Sequence, residues 1–309
     1  MSAPIYTAAD LGNIASNLAG DYIQMADIDL TGMDWIPLGN GYPDTFTGSY
    51  DGNGFTISNM TVGSAFLPDY SYGGLFGSVG GNGYSPSLMK IVLLNCNVVG
   101  NNLIFGGCLC GALYSGSVTE CYGEGLVNVA GAAGGLIGDA EATYSDITID
   151  NCAFAPFKNS CSVETEPGNT GVAIGGLIGV TYTYRLRTFT ITDCYAASPV
   201  IPGSSDPSNV MGGMTGYNYG ATYTSCYYDE TVSGQSDTGN GTPELTALMQ
   251  EQSTYSGWDF TDIWQISPLA GGDFGYPYFK WMAVSGPQCK ASQVLIDARS
   301  GKPVNFARH

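Results

Sequence analysis

Three pairs of acids stand close together in the chain: Asp139 and Glu141, Glu164 and Glu166, and Asp229 and Glu230. Two carboxyls about 5 to 9.5 Å apart across a glycosidic bond are the machinery of a glycoside hydrolase. These acids follow glycine-rich corners, with few cations nearby to tune them, and read as solvated loop charge. His309 is the single histidine and the last residue. A Ser-His-Asp triad, a Cys-His pair and a His-bearing zinc site are therefore not expected. Cys108 and Cys110 lie on one face of a strand, but a clip built on them needs two more thiols. Asp51-Gly52-Asn53-Gly54 is like a calcium-loop fragment without the further acids of an EF-hand, and reads as a turn. The expectation is no catalytic residue, no metal and no cofactor, with a structural calcium left open.

Tyrosine occurs 21 times. Tyr70/Tyr72, Tyr182/Tyr184 and Tyr217/Tyr219/Tyr223/Tyr227/Tyr228 fall at or beside glycine corners. Spacing of i, i+2 puts two rings on one face of a strand. An outward face of this kind binds sugars or protein partners. An alternative role is cross-strand stacking that only stabilises the sheet. Tyr182, Tyr184, Tyr217, Tyr219, Tyr227 and Tyr228 are the candidate ligand surface.

The elements that would position these residues form a repeat. Gly73-Gly74-Leu75-Phe76-Gly77 recurs as Gly134-Gly135-Leu136-Ile137-Gly138, Gly175-Gly176-Leu177-Ile178-Gly179 and Gly212-Gly213-Met214-Thr215-Gly216. Gly107-Cys108-Leu109-Cys110-Gly111 is a degenerate copy. After each comes an alternating strand ending in a polar residue and then Cys96, Cys121, Cys152, Cys194 or Cys226. Met60 fills an earlier slot. The slots lie 36, 25, 31, 42 and 32 residues apart, one supersecondary unit each. Every second residue of these strands is apolar, so one face is buried. One unit cannot bury that face alone, and stacking on its neighbours gives a solenoid. The five cysteines are expected in one buried column of free thiols. Parallel strands about 4.8 Å apart carry parallel Cβ vectors, which is poor disulfide geometry. The motif glycines are expected to hold tight corners and close backbone approaches that a side chain cannot enter.

The repeats, the stretch Trp35-Ile36-Pro37-Leu38-Gly39 with Phe46–Gly54, and the closing Gly257-Trp258-Asp259-Phe260, Ile263-Trp264 and Tyr276-Pro277-Tyr278 resemble the GLUG-type repeat family. That family occurs in large bacterial and phage surface proteins. The resemblance spans roughly residues 5–282. It implies an all-β chain, a right-handed parallel β-helix, usually adhesive and usually without an active site.

The ends read as caps. Thr7 and Asp10 form a capping-box start for a short helix. Residues 22–30 read as a first strand, and Thr242-Pro243-Glu244 as the start of a second helix. Residues 1–279 carry net −22 and residues 280–309 net +4, giving −18 for the 309-residue chain. This charge excludes nucleic-acid binding through phosphate neutralisation. No apolar run is long enough to insert in a membrane. The division expected is a β-helix domain over 1–282 and a basic extension over 283–309. That extension reads as a hairpin docking on a neighbouring subunit, with Lys290, Arg299, Lys302, Phe306 and Arg308 as assembly residues. The N-terminus lacks the pattern of a signal peptide. The functional expectation is a non-enzymatic structural or adhesive protein of a phage virion (fibre, spike or decoration) or an extracellular filament. It would contact other subunits or copies of itself, and a surface glycan or protein receptor. The alternatives are a tailspike-like polysaccharide hydrolase and a secreted bacterial adhesin.

Overall fold

The computed structural model describes residues 2–41, 43–63, 72–184, 186–266 and 275–282. The basic extension over 283–309, with its five assembly residues, lies outside them, as do Tyr70 and Cys289.

The chain is all-β, with 43% strand and 8% helix. Four sheets are built by successive passes of the chain, and every strand pair in them is parallel. The first sheet runs from Ala3–Ile5 through Asp21–Gln24, Ser49–Asp51, Ser87–Met89, Gly116–Thr119, Ile147–Asp150 and Phe189–Thr192 to Thr222–Thr224. From each strand after Ala3–Ile5 the chain turns into the second sheet, for example Tyr122–Val129. It then adds a short strand to a third sheet, such as Ala132–Gly134, and one to a fourth, such as Ile137–Ala142. The next pass begins again in the first sheet. In Ile147-Thr148-Ile149 the isoleucines are buried and the threonine is exposed. Ile147 and Ile149 pair in register with Phe189 and Ile191, so like residues stack pass upon pass.

The turn from the first to the second sheet takes two residues: Lys90-Ile91, Glu120-Cys121, Asn151-Cys152, Asp193-Cys194 and Ser225-Cys226. The leading residue is left-handed each time, with φ between 50° and 51°. That conformation costs an ordinary L-residue about 1 to 2 kcal/mol, least for Asn and Asp. The second residue points into the core.

This corner corrects the expected cysteine column. Cys121, Cys152, Cys194 and Cys226 stack as expected, but the place before them belongs to Ile91. Cys96 lies farther along its strand, opposite Gly125. It follows a different left-handed corner, Asn95, whose amide donates to Asn59 at 2.7 Å, while Asn59 donates to Asp29 at 2.8 Å. Cys96 meets the buried thiol of Cys108, with Cys161 nearby. Two different corners share one spelling, a polar residue followed by Met or Cys.

The repeated glycines serve the expected close approach and not a left-handed turn. None of Gly73, Gly77, Gly134, Gly138, Gly175 and Gly179 has a left-handed φ. They are sites of close approach: a Cβ at Gly134 would lie 2.0 Å from the Ile137 carbonyl oxygen, and one at Gly135 would lie 2.2 Å from the Phe154 ring.

Both ends carry additions. Thr7 and Asp10 form the expected capping box on the helix Ala8–Asn13. The expected strand over 22–30 is two strands, Asp21–Gln24 and Ile28–Asp29, in different sheets. Thr242–Glu244 is a strand paired with Tyr227–Asp229, and the short helix comes later, at Thr246–Met249. Pro243 tolerates an edge strand because it has no N–H to offer a further neighbour. Residues 255–266 and 275–282 then fold back along the outer face of the second sheet as a strap. Trp258, Trp264, Tyr276 and Phe279 bury Tyr122, Ala153, Tyr195 and Tyr227, making a second apolar core outside the first.

Candidate functional site

The outer face of the fourth sheet gathers the exposed aromatic residues. Ile137, Ala140 and Ala142 face the main core. The alternation therefore skips a residue at Gly138-Asp139, and Asp139 and Glu141 turn away from the main core, Asp139 still buried and Glu141 half-buried. Backbone of the third sheet lies across the skip, since a Cβ at Gly138 would fall 2.4 Å from the Gly106 nitrogen. Register then builds two outward rows. One reads Ala112, Asp139, Val180, Tyr217, and the other Glu141, Tyr182, Tyr219. Tyr114, which follows Leu113 opposite Ala140, extends the second row.

The rings of Tyr182 and Tyr219 stack at 4.7 Å with 12° between planes. Tyr184 leans on Tyr182 at 6.0 Å. Tyr184, Tyr217 and Tyr219 are 44%, 46% and 52% exposed, and Tyr182 is half-buried. Four of the six candidate tyrosines thus share one surface. Tyr227 and Tyr228 do not, and this corrects the expectation. They begin a second-sheet strand, where alternation sends Tyr227 outward beneath the strap and Tyr228 inward. Tyr227 packs on Tyr255 at 5.2 Å. Tyr228 is fully buried, its hydroxyl donating to the Asp237 carbonyl at 2.7 Å.

Three further tyrosines belong with this face and escape a reading of the sequence. Tyr84, Tyr114 and Tyr144 stand, like Tyr184, where the chain passes from a fourth-sheet strand to the next first-sheet strand, and Tyr219 ends such a strand. Tyr84 and Tyr144 are 51% and 41% exposed. Half-buried Tyr114 donates to the Tyr72 hydroxyl at 3.2 Å, and Tyr72 stacks on Phe105 at 5.7 Å. The signal is a tyrosine in each of these connections, hidden by their unequal lengths. Tyr84 also borders an open cleft of about 610 Å³, lined further by Asn17, Asp44, Thr45, Thr47 and Asn82.

The acids are not the solvated loop charges expected. Asp139 is 4% exposed and lies within a strand. Burial, reinforced by neighbouring Glu141, pushes its carboxyl up to about 7. Its Oδ1 has no hydrogen-bond partner. Glu164 lies in the strand Ser162–Thr165 and accepts from the Ser162 hydroxyl at 2.7 Å. Asp229 is fully buried and accepts from Val232 N–H at 2.9 Å, the Thr246 hydroxyl at 3.0 Å and the Tyr276 hydroxyl at 2.7 Å. It ties the strap to the last pass. Glu124, which the sequence did not single out, is fully buried and gathers the N–H groups of Phe157, Lys158 and Asn159 at 2.8, 2.7 and 3.2 Å. Both are structural anchors.

Burial pushes the thiols of Cys108, Cys110, Cys121, Cys161 and Cys194 up. They remain protonated at neutral pH, the state least suited to metal binding. Among the described residues no cluster of three or more His, Cys, Asp or Glu is placed to hold a metal.

No protein-family model matches the chain. A stretch of 125 residues is 36% identical to a protein of Evansella cellulosilytica described as a "Putative Gly-rich membrane protein", covering 39% of this chain and 14% of that one. A stretch of 146 residues is 31% identical to halomucin of Haloquadratum walsbyi, covering 43% of this chain and 2% of that one. The chain thus spans a small fraction of the length of both relatives. No described helix is long and apolar enough to cross a membrane. Among solved structures it is similar to a Bacteroides ovatus protein described as a "putative immunoglobulin A1 protease", with a TM-score of 0.65 over 91% of this chain and 92% of that one. At 18% identity this likeness shows a shared fold alone.

Proposed function

We propose that this chain is a non-enzymatic adhesive module, a right-handed parallel β-helix of the GLUG type that displays an aromatic receptor-binding face. The handedness follows from the rule that parallel crossovers within one sheet are right-handed. The stacked pair Tyr182 and Tyr219, flanked by exposed Tyr184 and Tyr217, carries the reading. Exposed aromatic clusters of this kind mark binding surfaces. The setting is an extracellular surface or filament, or a virion. Similarity to segments of a Gly-rich membrane protein and of halomucin favours a cell surface. Assembly through the basic extension remains part of the proposal. Hydrolysis is the weaker reading, because the Asp139 carboxyl is too buried to touch a sugar.

The test is binding of the chain to immobilised polysaccharides and surface proteins from candidate hosts, compared with the Tyr182→Ala/Tyr219→Ala variant. Loss of binding with an unchanged melting temperature supports the reading. Unchanged binding, or release of reducing ends from a polysaccharide, refutes it.

A further inference from the structure

Resting on the aromatic face as a binding surface, we propose that its ligand is a neutral polysaccharide lying lengthwise along the stack, its end entering the cleft beside Tyr84. Tyr84, Tyr114, Tyr144 and Tyr184 stand in the connections that follow four successive fourth-sheet strands, and Tyr219 ends the fifth. Passes are about 4.8 Å apart, so these five passes span roughly 19 Å. That is the reach of a short oligosaccharide of about four to five rings. A pyranose presents C–H groups on its faces and hydroxyls at its rim. Tyrosine answers both, with a flat ring and a polar tip. Tyr182 widens the line where it stacks on Tyr219.

The shape fits a thin chain better than a globular partner. A stable protein interface covers about 800 Å² per side around a desolvated centre. Here tyrosines of successive passes stand singly or in one small cluster beside polar and charged groups. Glu141 sits within the row, and Asp146 lies at the connection that carries Tyr144. Arg187 is the one base among the described residues of these connections. With −18 over the whole chain, a polyanion approaching this face is repelled. A neutral glycan is not, and its hydroxyls can donate to these carboxylates. At one end the cleft of about 610 Å³ surrounds Tyr84 with Asn17, Asp44, Thr45, Thr47 and Asn82. An aromatic ring among amide, carboxylate and hydroxyl groups is the chemistry that holds a sugar ring.

The probes are size-graded oligosaccharides of β-glucan, mannan, galactan and xylan, with polygalacturonate as the anionic counterpart, measured by calorimetry. At least one neutral series should bind, its affinity rising with length to a plateau near five rings. Tyr84→Ala and Tyr144→Ala should each weaken the longest oligomer about tenfold and leave the shortest binder unchanged. Tyr219→Ala should weaken both, and polygalacturonate should not bind. Length-independent affinity, indifference to Tyr84→Ala and Tyr144→Ala, or a ligand that proves to be a polyanion or protein would overturn this inference. Such a polyanion or protein ligand, if lost in Tyr182→Ala/Tyr219→Ala, would leave the aromatic face standing as a binding surface. Binding of nothing by that face would overturn both.

Discussion

The indole N–H of Trp264 donates to the side-chain oxygen of Asn151 at 2.7 Å, across 113 residues of chain. Both side chains are buried, and Asn151 is a left-handed corner residue with φ 50°. Two other tryptophans of the strap make the same kind of contact. Trp258 donates to the Ser225 carbonyl at 2.8 Å and Trp281 to Glu120 at 3.0 Å. Three indoles thus grip three of the five two-residue corners that turn the chain from the first sheet to the second.

Replacing Asn151 tests this grip. Asn151→Ala removes the acceptor and puts a poor residue in a left-handed corner, and should cost about 2 to 4 kcal/mol. Asn151→Gly keeps the conformation and loses the acceptor, so it should cost about half as much. Urea denaturation of the two variants and of Trp264→Phe decides the point. Equal losses in Ala and Gly would remove the corner strain from the account.

The glycine positions divide by what surrounds them. Gly135→Val drives a side chain into the Phe154 ring and the Gly176 carbonyl, and should cost about 3 kcal/mol or more. Gly12, in the N-terminal helix, has nothing within 4 Å of an added Cβ. Gly12→Ala should stabilise by up to about 1 kcal/mol. Opposite shifts in melting temperature are the expected result.

Acidity should stabilise the fold between about pH 4 and pH 7. The folded Asp139 carboxyl is raised from 3.8 to about 7, so the folded state holds a proton that the unfolded chain releases. Its contribution is complete below the unfolded value and lost as pH rises through the folded one. At about 1.36 kcal/mol per unit this amounts to as much as about 4 kcal/mol. Asp193, raised to about 6 by burial and by Asp150, acts in the same direction. Melting at pH 5 should exceed melting at pH 8, and Asp139→Asn should flatten most of the difference.

The eight described thiols should resist alkylation in the native protein and react after unfolding, since all are buried. Mass spectrometry of both states reads this directly. Cys152→Ala, inside the ladder of four, should cost about 1 kcal/mol or more through the cavity it leaves. A disulfide between Cys121 and Cys152 would contradict the stacked arrangement.

Alternation makes the strands legible in the residues themselves, because Phe189-Thr190-Ile191-Thr192 and its counterparts obey a period of two. The corners are harder. Asn95-Cys96 and Asn151-Cys152 are spelled alike, yet they turn different sheets, and only pairing register separates them. Tyr227 and Tyr228 look like their neighbours Tyr217 and Tyr219. What buries Tyr227 is a strap that starts nearly thirty residues later in the chain, while Tyr228 turns into the main core. The carboxylate of Asp139 looks exposed because local sequence does not reveal the skip at Gly138 or the third-sheet backbone laid over it. Tyr182 and Tyr219 are legible because two residues of one period, on strands that pair, must share a face.

The strap also decides where the described chain leaves the molecule. Ala3–Ile5 opens the first sheet at one end of the stack. The strap starts at the other end, where Trp258 meets Ser225, and travels back past Asn151 to Trp281, which reaches Glu120 and lies over Gly54 in an opening pass. The first and last described residues therefore lie toward one end of the stack. Pulled between Ala3 and Met282, such a unit hangs as a pendant from those two points instead of forming a link in line with them. Tension then falls on the base of the pendant. It peels the first strand and the last indole contacts one after another, and leaves Tyr182 and Tyr219 of the later passes unloaded until that base gives way.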